Sequence, residues 1–156
     1  MNVERCTLNV SHVSHIRVSH IRVDQGQQWS KLNSMEHSPG FLKVVNDVRP
    51  KITEITVEQA RARLAENPKA ILMDVREDGE WTQGHAVQAI HLGKGVLERD
   101  IEKVIPDPNT ELIMYCGGGY RSALTADVAQ QMGYRKVASL IGGYKALVQE
   151  QWPMAK

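Results

Sequence analysis

The chemistry-bearing stretch of this chain is CGGGYRS, running from Cys116 to Ser122. A cysteine thiolate is a strong nucleophile, and its reactivity depends on how well its surroundings hold the negative charge. Three successive glycines, Gly117, Gly118 and Gly119, let the backbone adopt φ > 0 and turn its N–H groups inward as an anion-binding nest. Arg121 adds a fixed cation for an anionic substrate or leaving group. The apolar run Leu112-Ile113-Met114-Tyr115 precedes the loop. After it, Ala123, Ala126, Val128, Ala129 and Met132 fall on helical rows that Gly133 closes. The loop is thus expected to leave a buried strand and enter a helix, where unpaired N–H groups and the positive end of the helix dipole favour a thiolate. Ser122 is expected to cap that helix. A cysteine after a buried strand is often only a small core hydrophobe, and glycines often only turn the chain. Strand, cysteine, glycine run, arginine and helix start together exceed what a turn requires.

The elements that must position this loop are short apolar runs alternating with amphipathic segments from Ile52 onward. Ile71-Leu72-Met73, Ala89 to Leu92, Leu112 to Tyr115 and Val137 to Leu140 each have the form of a buried parallel strand. Thr56 and Gln59 resemble a capping box opening a helix that Asn67-Pro68 must stop. Right-handed crossovers between parallel strands then give an α/β fold, a small, mostly parallel sheet with helices on both faces. Residues 1–34 contain the near repeat SHVSHIRVSHIRV and read as a low-complexity, disordered extension. Residues 35–52 read as a linker, and 53–156 as the domain.

With 42% apolar and 24% charged residues and a formal net charge of +1, the composition is that of a soluble globular protein. It offers no concentrated basic face for nucleic acid, and no apolar run approaches the roughly 20 residues needed to cross a bilayer. A cytoplasmic location is the default expectation. The two cysteines, Cys6 and Cys116, are expected to be free thiols, and Cys6 receives no role. His12, His15 and His20 in the extension are set aside as metal ligands, so neither metal nor cofactor is expected.

From about Thr53 to Trp152 the chain resembles the single-domain rhodaneses, the thiosulfate sulfurtransferase family. Three motifs in order carry the resemblance: DVREDGEWTQGH from Asp74 to His85, the loop CGGGYRS, and LIGGY from Leu140 to Tyr144. Two positions depart from the family pattern. Val87-Gln88 stands where Pro-Gly is frequent, and Leu147 where a tryptophan is common. The resemblance implies that Cys116 takes the outer sulfur of thiosulfate or a related donor, releases sulfite, and passes the persulfide sulfur to a thiophilic acceptor such as cyanide or a thiol. Gly117, Gly118, Gly119 and Tyr120 would cradle the charged sulfur, and Arg121 would hold the sulfonate of the donor. Asp74 and Arg76 are expected to pair with the loop or with Glu80 and to organise structure without meeting substrate. His85 is expected to be a hydrogen-bonded structural residue, and Gly142 and Gly143 to let the chain pass close to the loop above Tyr144.

Three alternatives bear on function. A protein sulfur acceptor, in cofactor or tRNA thiolation, would make the protein a persulfide relay. A rhodanese-like binding module without catalysis is a second, although such modules usually lack the cysteine. Cysteine-based phosphatase or arsenate-reductase chemistry is the third. It resembles a C-x-x-x-x-x-R loop, whereas only four residues, Gly117 to Tyr120, separate Cys116 from Arg121 here.

Overall fold

The computed structural model describes residues 37–156. Cys6 and the histidine-rich repeat lie outside the described residues. Helix α1 (Pro39–Val48) begins at Ser38, whose hydroxyl accepts the Phe41 N–H at 3.4 Å. There follow β1 (Thr53–Ile55), α2 (Val57–Glu66), β2 (Ile71–Asp74), α3 (Asp78–Gln83), β3 (His85–Ala86) and β4 (Ile90–His91). The second half contains α4 (Leu97–Val104), β5 (Glu111–Tyr115), α5 (Tyr120–Gln131), β6 (Lys136–Leu140), α6 (Gly143–Gln149) and β7 (Met154–Ala155). Five strands form one parallel sheet in the order β1-β6-β5-β2-β4, and β3 pairs antiparallel with β7. This is the flanked parallel sheet expected from the apolar runs. No helix among the described residues is long and apolar enough to cross a membrane.

Strand β5 lies at the centre, and its alternating side chains feed two cores. Leu112 and Met114 join Met73, Leu97 and Ile101 on the face covered by α4 and α5. Ile113 and Tyr115 join Ile55, Ala60, Leu140 and Leu147 on the face covered by α2 and α6. Burial on both sides explains why these strands are continuous apolar runs rather than alternating ones. Helix α1 adds to the first layer by packing against α5, with Val45 and Val48 buried.

Local signals fix the joints. Thr56 Oγ1 accepts the Gln59 N–H at 3.2 Å while Gln59 Oε1 accepts the Thr56 N–H at 2.9 Å, a complete capping box. At the other end of the domain Gly133 has φ +101°, and the N–H groups of Gly133 and Tyr134 donate to the carbonyls of Gln130 and Ala129, closing α5 as a Schellman motif. The two departures from the family pattern have different settings, one a turn and the other the core. Gln88 has φ +69° at the third position of a turn closed by the Ala89 N–H on the Ala86 carbonyl, the place where the family's glycine would sit without strain. Leu147 is fully buried in the second core.

Candidate active site

Cys116 directly follows β5 and the loop it opens runs into α5, so the sulfur lies at the carboxyl edge of the central strand. The residue is 1% exposed, and Sγ accepts the Gly119 N–H at 3.2 Å. Tyr120, Arg121 and Ser122 occupy the first three helical positions, where N–H groups have no partner within the helix. Gly119 is the N-cap, in the left-handed region at φ +92°. A Cβ there would stand 3.1 Å from both the Gly142 nitrogen and the Leu140 oxygen, so this position admits only glycine.

The loop is held from behind by the start of α6. The Tyr144 N–H donates to the Cys116 carbonyl at 2.6 Å and the Lys145 N–H to the Gly117 carbonyl at 3.2 Å. These bonds anchor the first two loop carbonyls and satisfy two of the N-terminal donors of α6 at the same time. Such an approach requires bare backbone: a Cβ on Gly143 would run into the Cys116 carbonyl oxygen. The expectation that the glycine pair lets the chain pass close to the loop therefore has a definite geometry.

Ser122 has a different role from the one expected. It does not cap α5, because Gly119 occupies that position; its hydroxyl is fully buried and lies 2.8 Å from the Ser139 hydroxyl on β6. The pair ties the helix to the sheet beneath the loop. Ser122→Ala is expected to cost about 1–2 kcal/mol by leaving the Ser139 hydroxyl without its partner, and the Ser122→Ala/Ser139→Ala pair to recover part of that loss. Urea unfolding of the two variants checks the order, and a double variant less stable than Ser122→Ala would contradict it.

Arg121 is the cation of the loop, and it is already engaged. Its guanidinium forms a two-pronged bridge to Glu80 on α3, at 2.6 and 2.8 Å, with Glu77 a further carboxylate at 3.7 Å. Glu80 Oε2 also accepts the Glu77 N–H at 3.3 Å, so the acid is oriented by its own helix. The hydrogen bond to Arg121 holds the Glu80 carboxyl below its ordinary value, and the bond to Glu80 raises Arg121 despite its desolvation, with the Cys116 sulfur adding to the effect. The sequence alone sets Glu80 beside Asp74 or Arg76, whereas in the structure it is the partner of Arg121.

Asp74 and Arg76 instead bind one another. Arg76 Nε lies 3.0 and 2.9 Å from the two Asp74 oxygens, and a terminal nitrogen lies 2.6 Å from Asp74 and 2.7 Å from the Gly84 carbonyl. Burial disfavours the Arg76 charge, but the bonds to Asp74 outweigh it and raise the group overall. The guanidinium also lies 4.1 Å from the Tyr144 ring, so this buried pair links α3, the β3 turn and α6 without meeting the cysteine loop. His85 makes a hydrogen-bonding contact of the kind expected: its Nδ1 lies 3.2 Å from the Trp81 carbonyl, and its ring stacks on Trp81 at 3.5 Å. Tyr120 turns toward α1, 4.3 Å from the His37 ring and under the Arg49 guanidinium at 5.4 Å. The structure thus brings together Cys116, the three glycines, Tyr120 and Arg121, and it sets Asp74, Arg76 and Ser122 in the scaffold below. Among the described residues no group of acids, histidines and cysteines forms a metal site.

A rhodanese-like domain model matches residues 56–150 of the chain. A structure from Rhodopseudomonas palustris, of a protein of unknown function described as a possible tyrosine phosphatase, is 25% identical and superposes with a TM-score of 0.68 over 77% of this chain and 97% of its own. A rhodanese with anions from E. coli is 28% identical, with a TM-score of 0.50 over 56% of this chain and 98% of its own. The polysulfide-sulfur transferase homodimer of Wolinella succinogenes shares the fold at 22% identity, with a TM-score of 0.65 over 83% of this chain and 91% of its own. With its cysteine loop at the edge of a parallel sheet and a family match spanning most of the domain, the chain belongs to the rhodanese-like family.

Proposed function

We propose that the protein is a sulfurtransferase that carries a sulfane sulfur as a persulfide on Cys116. One observation carries the reading: the cysteine sulfur sits at the end of a central strand, accepts the Gly119 N–H at 3.2 Å, and faces the open N-terminus of α5. The Cys116 thiolate attacks the outer sulfur of a donor such as thiosulfate. The new S–S bond forms as the old one breaks, and sulfite leaves with the electron pair. The terminal persulfide sulfur then bears the charge, which the Gly119 N–H and the N-terminal donors of α5 stabilise as an oxyanion hole would. An acceptor nucleophile such as cyanide takes that sulfur, and the thiolate returns. No cofactor enters the scheme.

The spacing of the loop favours this chemistry over phosphoryl transfer. Four residues between Cys116 and Arg121 make a smaller cradle than a loop with one residue more, and a single sulfur needs less room than a phosphate with its oxygens. Incubation with thiosulfate is expected to add one sulfur atom to the intact protein mass, and cyanide to remove it with release of thiocyanate. A protein that gains no sulfur from thiosulfate or from an alkyl persulfide, or that instead hydrolyses aryl phosphates, would overturn the reading.

A further inference from the structure

The only cation contributed by the loop is spoken for. Arg121 is paired at two points with Glu80, and Glu77 adds a further carboxylate at 3.7 Å. Glu77 and Glu80 thus bring two carboxylates to the side of the loop, while Asp78 on the same turn lies 3.7 Å from His91. A Cβ built on Gly117 would lie 3.3 Å from an Arg121 terminal nitrogen and 3.7 Å from Glu80 Oε1, which puts the ion pair directly against the first residue after the nucleophile. A doubly charged donor arriving here meets carboxylates and a guanidinium whose best donor edge is occupied.

Resting on the sulfurtransferase reading, we propose that Glu80 is a specificity-determining residue that, by holding Arg121, turns the site away from dianionic donors such as thiosulfate and toward persulfides carrying at most one negative charge. The donor's outer sulfur still reaches Cys116 in both cases, and the reaction keeps the balance given above, with a thiol leaving in place of sulfite. Electrostatic selection of this kind acts on binding, so it enters KM more than kcat. It also weakens as salt screens the exposed edge of the pair.

Glu80→Gln tests it, because the amide keeps a hydrogen-bond acceptor for Arg121 and removes the charge. The variant is expected to raise kcat/KM for thiosulfate about tenfold at low salt, chiefly through KM, while changing that for 2-hydroxyethyl persulfide less than about twofold. The thiosulfate gain should shrink at about 1 M salt, where the screening length falls to a few ångströms. A second measurement does not depend on sulfur transfer: the rate of Cys116 alkylation by anionic iodoacetate relative to neutral iodoacetamide should rise about fivefold in Glu80→Gln. The neutral reagent reports any change in the thiol or the fold. Equal effects on both donors together with an unchanged reagent ratio would overturn the charge selection and leave the sulfurtransferase reading standing. A wild-type protein that takes sulfur from neither donor would overturn both, whatever the reagent ratio.

Discussion

Cys116→Ser is expected to lower sulfur transfer by more than about a thousandfold while leaving the fold in place. The substitution exchanges one atom in a residue that is 1% exposed, and a hydroxyl oxygen still accepts the Gly119 N–H that now reaches the sulfur. The hydroxyl has too little anionic character to attack a donor sulfur, and no S–S bond can form at that position. Thiocyanate release should therefore vanish into the background rate, and the added sulfur should be absent from the intact mass. The thermal midpoint should move by no more than a few degrees, since neither volume nor hydrogen bonding changes much. A variant that still accepts sulfur at a wild-type rate would move the carrier to Cys6, the other cysteine of the chain.

The parts of this molecule legible from sequence are those whose cause is local. The β5 to β6 unit announces itself because Leu112 to Tyr115 and Val137 to Leu140 are buried on both faces, and because Gly133 can be read as a helix stop from its neighbours alone. Strand β1 is not legible. It is three residues long at the sheet edge, and only Ile55 of Thr53–Ile55 is buried, which leaves no periodicity to detect. Helix α1 falls in the stretch that reads as a linker, opening on Pro39-Gly40 and closing before Pro50, and those residues mask an apolar row that includes Val45 and Val48.

The site divides in the same way. Cysteine, glycines and arginine are contiguous, so the loop carries its own signature. The pairing of Arg121 depends on Glu80, 41 residues away, and the DVREDGE segment offers four carboxylates, Asp74, Glu77, Asp78 and Glu80, to two arginines. Geometry makes the choice that composition leaves open. Arg76 closes back on Asp74 two residues before it, because the end of β2 turns there, and this leaves Glu80 on α3 to face α5. The role of Ser122 is hidden for a related reason. Its partner Ser139 belongs to β6, and nothing near Ser122 in the chain marks a hydroxyl waiting for it.

Gly143→Ala should separate the architecture of the loop from the presence of its nucleophile. Gly143 has φ +54°, a conformation that costs a residue with a Cβ about 1–2 kcal/mol. Steric overlap adds a greater penalty: the new Cβ would collide with the Cys116 carbonyl oxygen and stand 2.9 Å from both the Cys116 carbonyl carbon and the Gly119 nitrogen. All three are backbone atoms that cannot rotate aside, so α6 or the loop must shift. A shift weakens the Tyr144 and Lys145 N–H bonds to the loop, each contributing about 1 kcal/mol, and it moves the same Gly119 nitrogen that donates to the sulfur. The expected result is a loss of about 3 kcal/mol or more, a midpoint lower by roughly 10 °C, and sulfur transfer reduced about a hundredfold even in the fraction that stays folded. Gly118→Ala provides the comparison. A Cβ at Gly118 meets nothing closer than the Tyr120 ring at 3.6 Å, so this variant should remain within about 1 kcal/mol of wild type. If both alanines behaved alike, the α6 start would not be what shapes the cradle, and the close approach of Gly143 to Cys116 would carry no functional weight.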